Sequence, residues 1–163
     1  MGAWVVLVVE DEWFLRDSIA RHLRAARLDV LEAGTGELAL SHLEAGRSIG
    51  LVFTDIQLGG RVTGWDVGAR YRKAFPEIPI IYTSGTAVAA KFTDPRSLFF
   101  PKPYEPNAII KACQSFLEQW ESWVKTDEMD TQVVPSCEGA KPGTLSRISL
   151  PAPQRVSAKS RDH

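Results

Sequence analysis

Short apolar runs of strand length, separated by stretches of helical spacing, constrain this 163-residue chain more than any other feature. The first, Val5-Val6-Leu7-Val8-Val9, is apolar throughout rather than alternating, as a strand covered on both faces requires. Residues 29–33, 51–54, 78–83 and 98–100 read as four further strands. Leu15, Ile19, Leu23 and Ala26 recur at helical spacing after the first run. Thr35 offers an N-cap before Leu38, Leu40 and Leu43, and Gly46 offers a stop. Gly59, Gly60 and Gly64 mark a loop before a helix carrying Trp65, Val67, Tyr71 and Phe75, which Pro76 ends. A last helix starts near Pro106, with Ile109, Ile110, Cys113, Phe116, Leu117 and Trp120 on its apolar face. Strands alternating with helices predict a three-layer α/β sandwich around a parallel sheet, with right-handed crossovers.

In such a sheet the strand carboxyl ends share one rim, where ligands bind. Glu10 and Asp11 follow the first run, Asp55 the third, Ser84 the fourth and Lys102 the fifth. Three carboxylates, a hydroxyl and an ammonium on one rim suit a hard divalent cation and a phosphoryl group. Mg²⁺ fits best, because it keeps several waters and binds through one or two carboxylates plus a phosphate. Without a cation, two such carboxylates about 5 Å apart repel by roughly 3 kcal/mol at an effective dielectric near 20. The plain alternative is a set of solvated loop acids.

Composition narrows the function classes. A formal net charge of -1 gives no general attraction to nucleic acid or anionic membrane. No apolar run approaches membrane-spanning length, and the N-terminus lacks secretory features. Cys113 and Cys137 have no metal-site spacing, so a reducing cytoplasm with both thiols free is expected. The sequence changes character near Thr126. Residues 126–163 are rich in Pro, Ser, Gly and balanced charge, and are expected to form a disordered polar tail after a domain over residues 1–125.

From Val5 to about Trp120 the chain resembles the receiver domain of two-component response regulators. The resemblance rests on Val8-Val9-Glu10-Asp11-Glu12, Phe53-Thr54-Asp55-Ile56-Gln57-Leu58, Tyr82-Thr83-Ser84-Gly85 and Phe100-Pro101-Lys102-Pro103-Tyr104. It is similar above all to stand-alone receivers, with no effector domain following. The resemblance implies a flavodoxin-like doubly wound fold, strand order 2-1-3-4-5, with about five helices. It also implies that Asp55 accepts a phosphoryl group from the phosphohistidine of a sensor histidine kinase or a histidine phosphotransfer protein. Glu10, Asp11, Asp55 and the Gln57 carbonyl would hold Mg²⁺, Lys102 would pair with phosphoryl oxygens, and Ser84 would move to bond them. The Lys102-Pro103 peptide would be cis. Phe99 matches a switch aromatic, and equally fits an ordinary core residue of the fifth strand.

Departures from the family pattern matter. The loop after Asp55, Leu58-Gly59-Gly60-Arg61-Val62-Thr63-Gly64, lacks the usual proline and is slightly longer, and Ser84 replaces the commoner threonine. The segment between Ser84 and Lys102 is shorter than usual and contains Pro95, so the fourth helix is expected to be short or irregular. Arg21, Arg24 and Arg27 form either a docking stripe or a solvated helix face. Trp13 either borders the pocket or packs on its own helix. His22 and His42 read as helix residues without partner ligands. The leading expectation is a cytoplasmic response regulator rather than an enzyme, signalling through protein contacts, with no direct nucleic-acid or membrane partner. The alternatives are a Mg²⁺-dependent phosphohydrolase and a pseudo-receiver that binds partners without phosphorylation. The phosphohydrolase reading is opposed by Gln57, which stands where haloacid-dehalogenase-like phosphatases carry a second aspartate.

Overall fold

A computed structural model describes residues 5–86 and 94–129. Strands β1 (Val5–Val9), β2 (Asp29–Ala33), β3 (Leu51–Asp55), β4 (Ile80–Ser84) and β5 (Ser97–Pro101) form one parallel sheet in the order β2-β1-β3-β4-β5. Four helices lie among the described residues: α1 (Trp13–Ala25), α2 (Gly36–Glu44), α3 (Gly64–Ala74) and α4 (Pro106–Met129). The order and parallel sense match the expected doubly wound fold. The expected short fourth helix falls largely on residues 87–93, outside the described residues. The final helix continues through Thr126 to Met129, past the change in composition.

The period of two along each strand sorts the core into two layers. Val6, Val8, Leu51, Phe53 and Ile81 meet Ile19 and Leu23 of α1 and Ile109, Cys113 and Phe116 of α4. Leu7, Val9, Val52, Ile80 and Tyr82 meet Ala39 of α2 and Val67 and Tyr71 of α3. Because both faces are covered, β1, β3 and β4 must be apolar on both faces, which explains their unbroken hydrophobic runs. Each fully buried Leu, Ile or Phe stabilises the fold by roughly 1.5–3 kcal/mol. Burial pushes the Cys113 thiol up to about 12, so it behaves as a small hydrophobe.

Local signals place the helix ends. Thr35 caps α2 by accepting from the Leu38 N–H at 3.1 Å. Gly46, at φ 66°, closes α2 with Gly46 N–H to Leu43 O at 3.0 Å and Arg47 N–H to His42 O at 3.1 Å. Arg27, at φ 64°, closes α1 through Arg27 N–H to Arg24 O at 2.9 Å and Leu28 N–H to Leu23 O at 3.1 Å. Thr63 and Asp66 form a capping box at the start of α3.

The start of β5 is fixed by ion pairs rather than apolar burial. Arg72 pairs with Asp94, and Arg96 reaches Glu77 at 2.6 Å and Asp94 at 3.0 Å. The hydrogen bond from Arg96 holds the Asp94 carboxyl down at about 2. No helix of the described residues is long and apolar enough to cross a membrane.

Candidate functional site

Strand register builds the site. Val8 of β1 lies beside Phe53 of β3, Asp55 beside Thr83 of β4, and Thr83 beside Phe100 of β5. Continuing the alternation past Val8 and Phe100 carries Glu10 and Lys102 onto the same sheet face, above the α1/α4 core layer. Lys102 Nζ donates to Glu10 Oε2 at 2.7 Å and also to Asp55 Oδ2. Glu10 and Asp55 are 1% and 5% exposed, so neither carboxylate can rely on water, whereas Asp11 is exposed. One carboxylate oxygen from each of Glu10, Asp11 and Asp55 lies within 4.8 Å of the others.

Further contacts fix these groups. The Gln57 N–H donates to Asp55 Oδ1 at 3.0 Å, and the Glu12 N–H donates to Glu10 Oε1 at 3.3 Å. Arg16 Nη1 donates to the carbonyl of Glu10 at 2.7 Å, tying the strand end to α1. The Lys102 N–H donates to the Ser84 carbonyl at 2.8 Å, and the Lys102-Pro103 peptide is cis. Tyr104 packs edge-on against Phe53 with ring centroids 5.7 Å apart. Burial, and then the charges of Glu10 and Asp55, push the Tyr104 hydroxyl well above its usual range.

The electrostatics are unbalanced. Burial holds the Glu10 carboxyl above its usual range, outweighing the bond from Lys102, and Asp55 pushes in the same upward direction. Burial alone would pull the Lys102 ammonium down, but its bonds to Asp55 and Glu10 keep it above its ordinary value. Among the described residues three carboxyl groups gather around one ammonium, so the formal charges of the cluster sum to two more negative than positive. That is the charge of one divalent cation. The donors are all hard oxygens, the set that suits Mg²⁺.

The other expected residues are less tightly gathered. The Ser84 hydroxyl is engaged with Thr86, accepting its N–H at 3.2 Å and lying 3.1 Å from its hydroxyl. Phe99 is half-buried against the α2/α3 core layer, in register with Tyr82 and on the opposite face from Lys102. Trp13 is exposed and meets Phe14 edge-on at 4.7 Å. Arg21 pairs with Asp17 at 2.9 Å and Arg24 with Glu32 at 2.8 Å, so two cations of the basic stripe are already partnered.

Three contributors were missed by sequence reasoning: Arg16, Thr86 and Thr83. Arg16 lies among the arginines of α1 without any mark of its carbonyl contact. Thr86 follows Ser84 at the spacing of a hydroxyl turn, a signal that was available. Thr83 reads as an ordinary β-branched strand residue, yet its buried Oγ1 has no hydrogen-bond partner among the described residues.

Comparison with known proteins supplies an independent line. Residues 6–114 match the family model of the response regulator receiver domain. The chain is 30% identical over 123 residues to the sensor kinase CckA of Brucella abortus, which covers 72% of this chain but only 13% of that kinase. It is 27% identical to the two-component response regulator ORR3 of Oryza sativa, over 66% of this chain and 86% of that protein. The solved response regulator receiver protein of Sinorhizobium medicae is similar at a TM-score of 0.67 and 30% identity, covering 71% of this chain and 95% of that one.

Proposed function

This chain belongs to the response regulator receiver domain family, and from that premise we propose that Asp55 is its phosphoacceptor in a Mg²⁺-dependent transfer. The donor is the phosphohistidine of a sensor histidine kinase or a histidine phosphotransfer protein. One Asp55 carboxylate oxygen attacks the phosphorus, the P–N bond breaks, and its electrons return to the imidazole ring. The product is an acyl phosphate on Asp55. The observation that carries this reading is the position of the Asp55 carboxylate, bonded to the Lys102 ammonium and clustered with the carboxylates of Glu10 and Asp11.

Glu10, Asp11, Asp55 and the Gln57 carbonyl would hold the cation, which supplies charge neutralisation for the transferring group. Lys102 exchanges its bond to Asp55 for one to a phosphoryl oxygen. Ser84 leaves Thr86 to donate to another. Phosphorylation adds about -1.5 to -2 charge at this rim, and relocation of Ser84 transmits it to β4 and the residues that follow. Phe99 lies on the neighbouring strand, in register with Tyr82, where such a shift would be felt. Exposed Trp13 and Phe14, and an apolar groove lined by Leu15, Ile19, Pro103, Tyr104 and Pro106 beside Lys102, offer docking surface for the donor.

In this reading the protein works in the cytoplasm as a signalling domain rather than a turnover enzyme, and its output is a protein contact rather than nucleic-acid or membrane binding. The test is incubation with acetyl phosphate and Mg²⁺, followed by intact-mass measurement. A phosphate increment is expected on the wild type and not on Asp55→Asn. An equal increment on both would refute the assignment. Rapid multiple turnover of a phosphomonoester would favour a hydrolase instead.

A further inference from the structure

The loop that leaves Asp55 lacks a stiffening proline, and the structure shows what holds it instead. Glu37, in the first turn of α2, accepts hydrogen bonds on one oxygen from two consecutive loop amides, Arg61 N–H at 3.0 Å and Val62 N–H at 3.3 Å. Gly60 lies so close that a Cβ there would meet Glu37 Oε2 at 2.7 Å. Val62 packs onto Gly36, where a Cβ would meet the Val62 side chain at 2.6 Å. On its other side the same loop abuts the cation site, since a Cβ on Gly59 would meet Asp11 Oδ2 at 3.0 Å. The loop is therefore clasped between a fixed helix terminus and the most exposed of the three clustered acids. Its N-terminal end carries Gln57, whose N–H is already bonded to Asp55.

We propose that Glu37 is a positioning residue for the cation site, acting through residues 57–62 to set Asp11 and the Gln57 backbone in place. Glu37 is not one of the clustered acids, so it works on the site through the loop rather than as a ligand. Backbone bonds suit this role, because a single carboxylate oxygen facing two adjacent N–H groups fixes the local path of the chain without side-chain partners. The first turn of α2 is a stable anchor because Thr35 caps it and an acid there is favoured by the helix dipole. The inference rests on the reading of Glu10, Asp11 and Asp55 as a Mg²⁺ site.

The test is a MgCl₂ titration of the full chain followed by backbone amide NMR, for wild type, Glu37→Ala, Glu37→Gln and Asp11→Asn. Supporting residues of metal sites typically change affinity by tenfold or more, so Glu37→Ala is expected to weaken Mg²⁺ binding by about tenfold. Glu37→Gln keeps an acceptor oxygen and is expected to stay near wild type. Amide exchange at Arg61 and Val62 should quicken in Glu37→Ala alone. A wild-type Mg²⁺ affinity in Glu37→Ala, whatever its melting temperature, would overturn the proposal, because a purely structural clasp lowers stability without touching affinity. Equal weakening in the alanine and glutamine variants would also overturn it, by pointing to charge rather than the clasp. If the wild type ignores Mg²⁺, or Asp11→Asn binds it equally well, the metal-site reading itself falls and this inference with it.

Discussion

Replacing Lys102 with methionine tests the central arrangement most directly. The substitution keeps an unbranched side chain of similar length but removes the ammonium that bonds both Glu10 and Asp55. Removing one partner of a buried ion pair typically costs about 3–5 kcal/mol, because the remaining charge is left unpaired. The Lys102 side chain is 17% exposed, which lets water reach the vacated position and favours the lower end, about 3 kcal/mol at pH 7.5. Total stabilities of about 5–15 kcal/mol mean that the variant should still fold.

The deficit should depend on pH with a definite sign. Glu10 already has a folded-state pKa raised by burial above its ordinary value of 4.5. A raised carboxyl contributes stability that is fully present below the unfolded value and lost as pH rises through the folded one. Without Lys102 a lowering influence disappears, so the folded value climbs further and the loss above it grows. Lys102 in the wild type has its pKa raised above 10.5, so it stays charged throughout this range. The gap between the two proteins should therefore narrow as pH falls through the folded-state range of Glu10, where a protonated Glu10 no longer needs the ammonium, leaving the lost bond to Asp55. Urea unfolding followed by tryptophan fluorescence at several pH values measures it. A deficit that stays flat with pH, or fails to reach 1 kcal/mol at pH 7.5, would refute the claim that Lys102 compensates buried acids.

Four further outcomes follow from other parts of the molecule. Mg²⁺ at ten times its dissociation constant should stabilise the wild type by about 1.4 kcal/mol, seen as a rise of several degrees in Tm, and Asp11→Asn should lose the rise. Gly64→Ala should fold poorly and label weakly with acetyl phosphate, since the added Cβ would stand 1.9 Å from the backbone oxygen of Asp55; labelling at the wild-type level would contradict this. Thr83→Val removes a buried hydroxyl that lacks a partner among the described residues and should raise the urea midpoint, by about 1 kcal/mol in stability, while a drop would reveal a hidden bond. Arg27→Gly relieves a left-handed residue at an exposed helix end and should stabilise by about 1 kcal/mol in the same assay.

The parts of the fold that depend on local chemistry were legible in the sequence. β2 lies on residues 29–33 as read, Thr35 caps α2, and Gly46 stops it. Each of these is set by residue type and periodicity within a few positions. The end of α1 was not legible, because Arg27 takes a conformation that glycine normally supplies, and only the packing of Leu28 into the core demands it. Strand ends slipped for a related reason: β4 starts at Ile80 and runs through Ser84, because pairing with Ser97 to Pro101 decides which residues join the ladder. The polar members of the rim could be named because each stands at the end of its own run. How they pair could not, since Lys102 contacts Glu10 across 92 positions and Asp55 across 47. The clasp of Glu37 on Arg61 has the same character: a first-turn acid looks like ordinary helix chemistry until the fold brings the loop beside it.

The physical logic of the site lies in what a small parallel sheet cannot avoid. Because β1 and β3 are neighbours whose connections run to opposite faces, a crevice opens at their carboxyl ends, and whatever follows the strands must line it. Elsewhere the central strands β1, β3 and β4 are packed mainly with aliphatic and aromatic side chains to near-complete burial. At that one edge two acids are buried with a single cation between them, an arrangement that aliphatic residues of similar volume would often equal or better in stability. In the proposed reading, a phosphoryl group on Asp55 would bring more negative charge than Lys102 alone can answer, so the resting pairs would give way and the Ser84 hydroxyl would have a reason to leave Thr86. On that proposal the charge imbalance of the resting rim would itself be what drives the switch. A variant that halves the charge imbalance, such as Glu10→Gln, should gain stability in urea unfolding by removing the burial penalty on Glu10, while losing cation affinity in a MgCl₂ titration.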